Sequence, residues 1–176
     1  MDSAWGAVRD YLARRRVTLG FVAALAALIL ARPTWTSWAV GLAVACAGEA
    51  IRIWASGHID KGREVTTSGP YQWMRHPLYV GSSLMAAGVM VAARNPLVAM
   101  VATAYMVTTI AAAVTSEEAH LREKFGDAYD RYVRAEVEHP QRGFSVERVM
   151  QNREYRAAGG VLAGFLILAL KVAFTL

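Results

Sequence analysis

The chain has 176 residues, 55% of them apolar, with a net charge of +5 and one cysteine. That length suits one domain, and the apolar share exceeds the roughly 45–50% of an average soluble domain. A disulfide framework or a Cys/His zinc site cannot be built from Cys46 alone. No metal is therefore expected. The excess basic residues flank apolar segments, so membrane orientation explains them better than nucleic-acid binding.

Charge is concentrated in residues 58–76 and 116–156, and long stretches elsewhere carry almost none. This predicts an all-α, polytopic membrane bundle with five transmembrane helices, at about 17–31, 35–56, 77–93, 96–115 and 157–175, plus short amphipathic interfacial helices. Each span approaches the roughly 20 residues a crossing requires. The first and third are short, which favours tilt or partial burial. Arg32-Pro33-Thr34 and Arg94-Asn95-Pro96 read as tight polar turns between spans. Alternating sides places segments 1–16, 52–76 and 116–156 together, with 16 of the 19 lysines and arginines. The other side has Arg32, Arg94 and Lys171. This bias predicts a cytoplasmic N-terminus and an external C-terminus, and the alanine- and arginine-rich composition suits a bacterial inner membrane. Arg14-Arg15-Arg16 before an apolar run resembles a leader, but no small-x-small cleavage site stands out.

Within the second span, Glu49 and Arg52 share a helical face and can pair. A charge in a membrane helix needs a partner or a polar cavity. The pair reads either as a plain ion pair with a snorkelling arginine or as part of a site.

The loop Thr67-Ser68-Gly69-Pro70-Tyr71, followed by Arg75-His76-Pro77-Leu78-Tyr79-Val80-Gly81, holds the densest polar cluster. Gly69-Pro70 predicts a turn. Pro77 suits the first turn of the third span, where its missing N–H costs nothing. Arg75 and His76 then lie at a helix N-terminus that favours an anion. Gly81 is expected to leave room for a bulky group.

Glu117 and Glu118 end the fourth span, as a capped, solvated face or as partners for a bound cation or ribose hydroxyls. Thr115 with Glu118 fits a capping box opening a separate amphipathic segment, 116–135. Leu121, Phe125, Ala128, Tyr129 and Tyr132 recur there at helical spacing. Gly126 is expected to end one helix and Asp127 to cap the next. A second amphipathic piece, 146–155, leads into the last span.

From Gly48 and Arg52 to Pro140, these blocks resemble the isoprenylcysteine carboxyl methyltransferases and the related phospholipid methyltransferases. The Arg-His-Pro-x-Tyr block and the Glu-Glu…Phe-Gly-x-x-Tyr-x-x-Tyr block carry the resemblance as a pair. It implies S-adenosylmethionine as cofactor, bound without a Rossmann fingerprint, and the chain contains none. Carried over, Gly69, Pro70, Tyr71, Arg75, His76, Pro77, Tyr79 and Gly81 line the cofactor pocket. Glu117 and Glu118 close it, and Leu121, Phe125, Tyr129 and Tyr132 form a lid. Arg134, His76 and Glu118 are the implied catalytic residues, with Arg134 near the acceptor. The family often shows Val-Pro soon after the last tyrosine, whereas this chain reads Glu136-Val137-Glu138-His139-Pro140. The implied partners are membrane lipids and a lipophilic acceptor, namely an isoprenylcysteine-like carboxylate or a lipid amine or hydroxyl. Residues 1–176 form one membrane-embedded domain in this reading, with a cofactor-binding core at about 48–140. The last span is an extension without an assigned role. A sterol-reductase-like NADPH enzyme and a non-enzymatic membrane protein are the competing readings.

Overall fold

The computed structural model describes residues 20, 22–137 and 142–174. The start of the first expected span, the arginines at 9 and 14–16, and the Pro140 end of the family blocks lie outside them. Every regular element among the described residues is helical. Helix α1 covers 22–30, α2 Trp35–Ser56, α3 Pro77–Ala93, α4 Pro96–Phe125, α5 Asp127–Val133, α6 Val146–Gln151 and α7 Tyr155–Ala173, and a 3-10 turn spans Gly69–Gln72.

Local chemistry sets these boundaries. Thr34 caps α2 through a reciprocal box: the Ser37 amide donates to Thr34 Oγ1 at 3.3 Å and the Thr34 amide to Ser37 Oγ at 3.0 Å. At the α3–α4 turn Arg94 adopts a left-handed conformation, φ 48°. The Asn95 side chain then accepts from the Leu97 and Val98 amides, and Pro96 follows at the first helical position.

The expected break after the fourth span is absent. Helix α4 runs unbroken for 30 residues, and Thr115 Oγ1 donates back to the Ala111 carbonyl at 2.8 Å as an interior helix residue. The segment 116–125 is rich in Glu, Lys, Arg and Leu, which sustain a helix, and nothing breaks it before Gly126. Gly126, at φ 51° and ψ −126°, both ends α4 and opens α5. Asp127 is the first residue of α5 and makes no capping bond; its carboxylate meets Arg131 and Arg134 instead.

Three helices are long and apolar enough to cross a membrane: α2, α4 and α7. Helix α3 is apolar but has 17 residues, about 26 Å at 1.5 Å per residue, against a hydrocarbon core of roughly 30 Å. The five expected crossings thus reduce to three among the described residues.

Helices α2 and α3 run antiparallel in close contact through two glycine pairs, Gly41 with Gly88 and Gly48 with Gly81. A Cβ on Gly48 would lie 2.6 Å from the Gly81 carbonyl oxygen, so only glycine allows this backbone approach. The bundle has two distinct poles. At one, Asn95 Nδ2 donates to the Leu30 carbonyl, the Arg32 amide to Ala93, and Lys171 Nζ to Leu28 and Ile29. A small apolar core of Ala31, Ala92, Ala93, Val98, Phe165 and Leu168 lies there. The opposite pole holds residues 52–82, 117–137 and 142–154, and with them the ion pairs among the described residues.

Candidate functional site at the polar pole

The loop after α2 turns back under its own helix. His58 is buried, with Nδ1 2.9 Å from the Trp54 carbonyl. Gly69, at φ +59°, sits against the His58 ring, where a Cβ would lie 2.6 Å from ring carbons. Glycine is required there by both backbone conformation and space. The following turn buries Pro70 and Tyr71. Tyr132, on α5, donates its hydroxyl to the Tyr71 carbonyl at 2.8 Å and ties the two segments together.

A latch joins the start of α3 to α4. Glu118 Oε1 lies 3.1 Å from His76 Nε2 and 3.5 Å from Arg75 Nη1, and Oε2 lies 3.7 Å from Arg122. Residues 42 positions apart in sequence therefore touch. Beside the latch, with Arg75 common to both, a cavity of about 340 Å³ opens between residues 59–62, 64–66, Tyr71, α4 and α5. From α4 it is lined by Glu117, His120, Leu121, Lys124 and Phe125, and from α5 by Tyr129 and Tyr132. Glu117 has no ion-pair partner among the described residues.

Of the residues the sequence singles out, Tyr71, Arg75, Glu117, Leu121, Phe125, Tyr129 and Tyr132 meet at this cavity. Gly69 and Pro70 shape the turn behind it. His76 and Glu118 are engaged with each other, and His76 lies beside Tyr79, with ring centroids 5.8 Å apart. Pro77 is the buried first residue of α3. Gly81 does not leave an opening: the α2 backbone at Gly48 and the Arg52 side chain fill the space beside it. Arg134 is absent from the lining, half exposed, and bonded to Glu136 at 2.9 Å.

Glu49 and Arg52 share a face but do not pair. Arg52 Nε bonds Glu154 Oε1 at 2.6 Å, while Nη1 donates to Ser82 Oγ at 2.5 Å. Both Glu49 carboxylate oxygens are buried without a hydrogen-bond partner.

The sequence reading missed residues 59–62 and 64–66, together with His120 and Lys124. The last two were detectable. In a continuous α4, positions 117, 120, 121, 124 and 125 fall on one face, as helical spacing requires. The imposed break at 116 concealed that stripe. The loop residues carry no comparable signal.

Aromatic faces in the wall are partly engaged: Arg122 lies 5.5 Å from the Tyr129 ring centroid and Lys124 5.8 Å from that of Phe125. Burial, and secondarily Glu117, pushes the Tyr71 hydroxyl well above its ordinary value. Burial, then the adjacent Tyr129, raises Tyr132 to about 12. Both hydroxyls are thus neutral near neutral pH. Stability linked to Tyr132 is fully present below its ordinary value of 10.0 and is lost as pH rises toward about 12. Tyr132→Phe is expected to flatten the alkaline loss of stability over that window, read as melting temperature against pH. Equal slopes in both proteins would show that Tyr132 does not control it.

The latch should also be essential to the cavity. His76→Ala removes one of the three partners of Glu118, and Glu118→Ala leaves the partly buried His76 ring without its hydrogen-bond partner, the latter costing about 1–3 kcal/mol. Both are expected to melt earlier than wild type in thermal denaturation. A wild-type melting temperature in both would show that the latch does not hold this pole together.

The phospholipid methyltransferase family model matches residues 22–128, well over half of the chain. A probable protein-S-isoprenylcysteine O-methyltransferase from Oryza sativa subsp. indica is 33% identical over 91 residues, covering 52% of this chain and 48% of that protein. The protein-S-isoprenylcysteine O-methyltransferase of Schizosaccharomyces pombe is 29% identical over 86 residues, covering 49% of this chain and 36% of that protein. The chain thus spans half or less of the length of these curated relatives. No solved structure matches it. On the extent of the family match, the chain belongs to the phospholipid methyltransferase family.

Proposed function

We propose that this protein is an integral-membrane methyltransferase that uses S-adenosylmethionine to methylate a lipophilic acceptor entering from the bilayer. One observation carries the proposal: Tyr71, Arg75, Glu117, Tyr129 and Tyr132, from three separate stretches, surround one cavity at the charged pole. The cavity volume of about 340 Å³ falls in the usual range for a small-molecule site, roughly 300–1,000 Å³. Its aromatic walls and the unpaired Glu117 carboxylate suit a nucleoside that carries a positive charge.

The chemistry that cofactor supplies is a methyl group on a cationic sulfur. The chain's own residues hold and orient. Glu117 accepts hydrogen bonds from ribose hydroxyls or faces the cationic end, Arg75 faces the carboxylate, and the tyrosine hydroxyls remain neutral donors. Positioning supplies most of the rate in such a displacement. For the arginine at the acceptor end we favour Arg52, 19% exposed and near enough to Tyr71 for its charge to act on that hydroxyl, over half-exposed Arg134. A carboxylate acceptor needs no base, whereas an amine or hydroxyl must lose a proton.

In this reading α1 and α3 also cross the bilayer, giving five spans, and residues 1–176 act as one unit. The charged pole faces the cytoplasm, which leaves the N-terminus inside and the C-terminus outside. The placement of Lys171 beside α1, away from the charged pole, supports that orientation.

The deciding experiment incubates purified protein with a labelled methyl donor and a lipid extract, alongside thermal-shift assays with S-adenosylhomocysteine and NADPH. Stabilisation by S-adenosylhomocysteine and a labelled lipid are expected. Stabilisation by NADPH alone would favour a reductase, and by neither a non-enzymatic role.

A further inference from the structure

We infer that Glu154, just ahead of α7, is a positioning residue that fixes the Arg52 guanidinium and so makes the last helix a working part of the site. The inference rests on the methyl-transfer reading for its consequence, although not for its geometry. Helix α7 lies beyond the 22–128 family match.

Glu154 is only 4% exposed and contacts Arg52 Nε at 2.6 Å. On its other edge, Arg52 Nη1 donates to Ser82 Oγ at 2.5 Å and to the Leu78 carbonyl at 3.3 Å. Ser82 Oγ in turn donates to that same carbonyl at 2.8 Å. Leu78 and Ser82 belong to the first turns of α3 and bracket Tyr79 and Gly81. The guanidinium is therefore gripped from both sides, by the first turns of α3 and by the turn ahead of α7. Its Cγ also fills the space a Gly81 side chain would occupy.

Docking of α7 does not require this buried pair. Trp38 Nε1 donates to the Phe165 carbonyl at 2.8 Å, and Lys171 holds the carbonyls of Leu28 and Ile29. A buried ion pair is a poor source of net stability because both charges lose water. What the pair provides is a fixed direction for Arg52. Glu49, three residues before Arg52 on α2, would otherwise be its natural partner, yet Glu154 holds the guanidinium and Glu49 has no hydrogen bond. This arrangement sets the first turns of α3 and, in the methyl-transfer reading, the charge facing the acceptor.

The test compares Glu154→Gln, Glu154→Asp and Trp38→Phe in the full-length protein. Trp38→Phe weakens α7 docking at the opposite pole without touching Arg52. Two readouts are used: the rate at which phenylglyoxal modifies Arg52, followed by mass spectrometry, and kcat and KM for transfer from a labelled donor. In Glu154→Gln, Arg52 modification should rise about fivefold and kcat fall about tenfold or more, with donor KM within about twofold of wild type. Glu154→Asp should recover part of both losses. Trp38→Phe should lower the melting temperature and leave both readouts near wild type. Unchanged Arg52 modification in Glu154→Gln overturns the inference, as does a Trp38→Phe protein with the Glu154→Gln pattern. If the wild type transfers no methyl group, the proposed function fails, and Arg52 modification alone decides the positioning role.

Discussion

Glu117→Gln is expected to weaken S-adenosylhomocysteine binding by about tenfold to a hundredfold while leaving the melting temperature close to wild type. The two adjacent glutamates differ in situation. Glu118 is surrounded by Arg75, His76 and Arg122, so its charge is already neutralised by the protein. Glu117 faces the cavity without an ion-pair partner. A carboxylate hydrogen-bonded to a ligand is worth about 1.5–3 kcal/mol, and each 1.4 kcal/mol is about tenfold in affinity. Glutamine keeps the shape and removes the charge, so the loss should appear in binding and not in folding. Calorimetry and thermal melts of Glu117→Gln and Glu118→Gln together decide the matter. Weaker binding with unchanged stability is expected of the first, and a stability loss of the second. If Glu117→Gln bound the ligand normally, the carboxylate would have no part in recognition.

The helices were legible in the sequence because bilayer length and helix punctuation are local properties. Asn95-Pro96 sets the α3–α4 turn and Pro77 opens α3, where the residues alone place them. Arg75, His76 and Glu118 were each singled out, but as groups for an anion, a cap or a bound ligand; that Glu118 meets Arg75 and His76 emerges only from the packing of α3 against α4. What escaped was the choice between nearby partners. Arg52 has a carboxylate three residues away in Glu49, yet bonds Glu154, 102 positions distant. Spacing cannot reveal that competition, because tertiary packing decides it. Gly81 failed for a related reason. A glycine that admits a ligand and a glycine that admits another helix look identical in one dimension, and the matching glycine at 48 is recognisable only once α2 and α3 are antiparallel. The split of Glu117 from Glu118 depends on α4 continuing as a helix, and the supposed cap at Thr115 obscured that continuity.

The glycine pairs lead to the second large effect. Gly48→Ala is expected to destabilise the protein by about 1–3 kcal/mol and to abolish most cofactor binding. The new methyl would lie 2.6 Å from the Gly81 carbonyl oxygen and 2.7 Å from the Met85 amide nitrogen. These neighbours are backbone atoms in a regular helix and cannot rotate aside, so α2 and α3 must separate. Separation at this level also shifts Arg52, one turn further along α2, and the first turns of α3 that it holds. Damage to packing is therefore transmitted to the site. Gly160→Ala on α7 is the matched control, since a Cβ there meets nothing within 4 Å. Alanine is favoured over glycine inside a helix by up to about 1 kcal/mol, so this variant should melt at or above the wild-type temperature and bind normally. Thermal melts in detergent with and without S-adenosylhomocysteine separate the two cases. If Gly48→Ala matched Gly160→Ala in both, the close α2–α3 contact would not be what holds the cavity in shape.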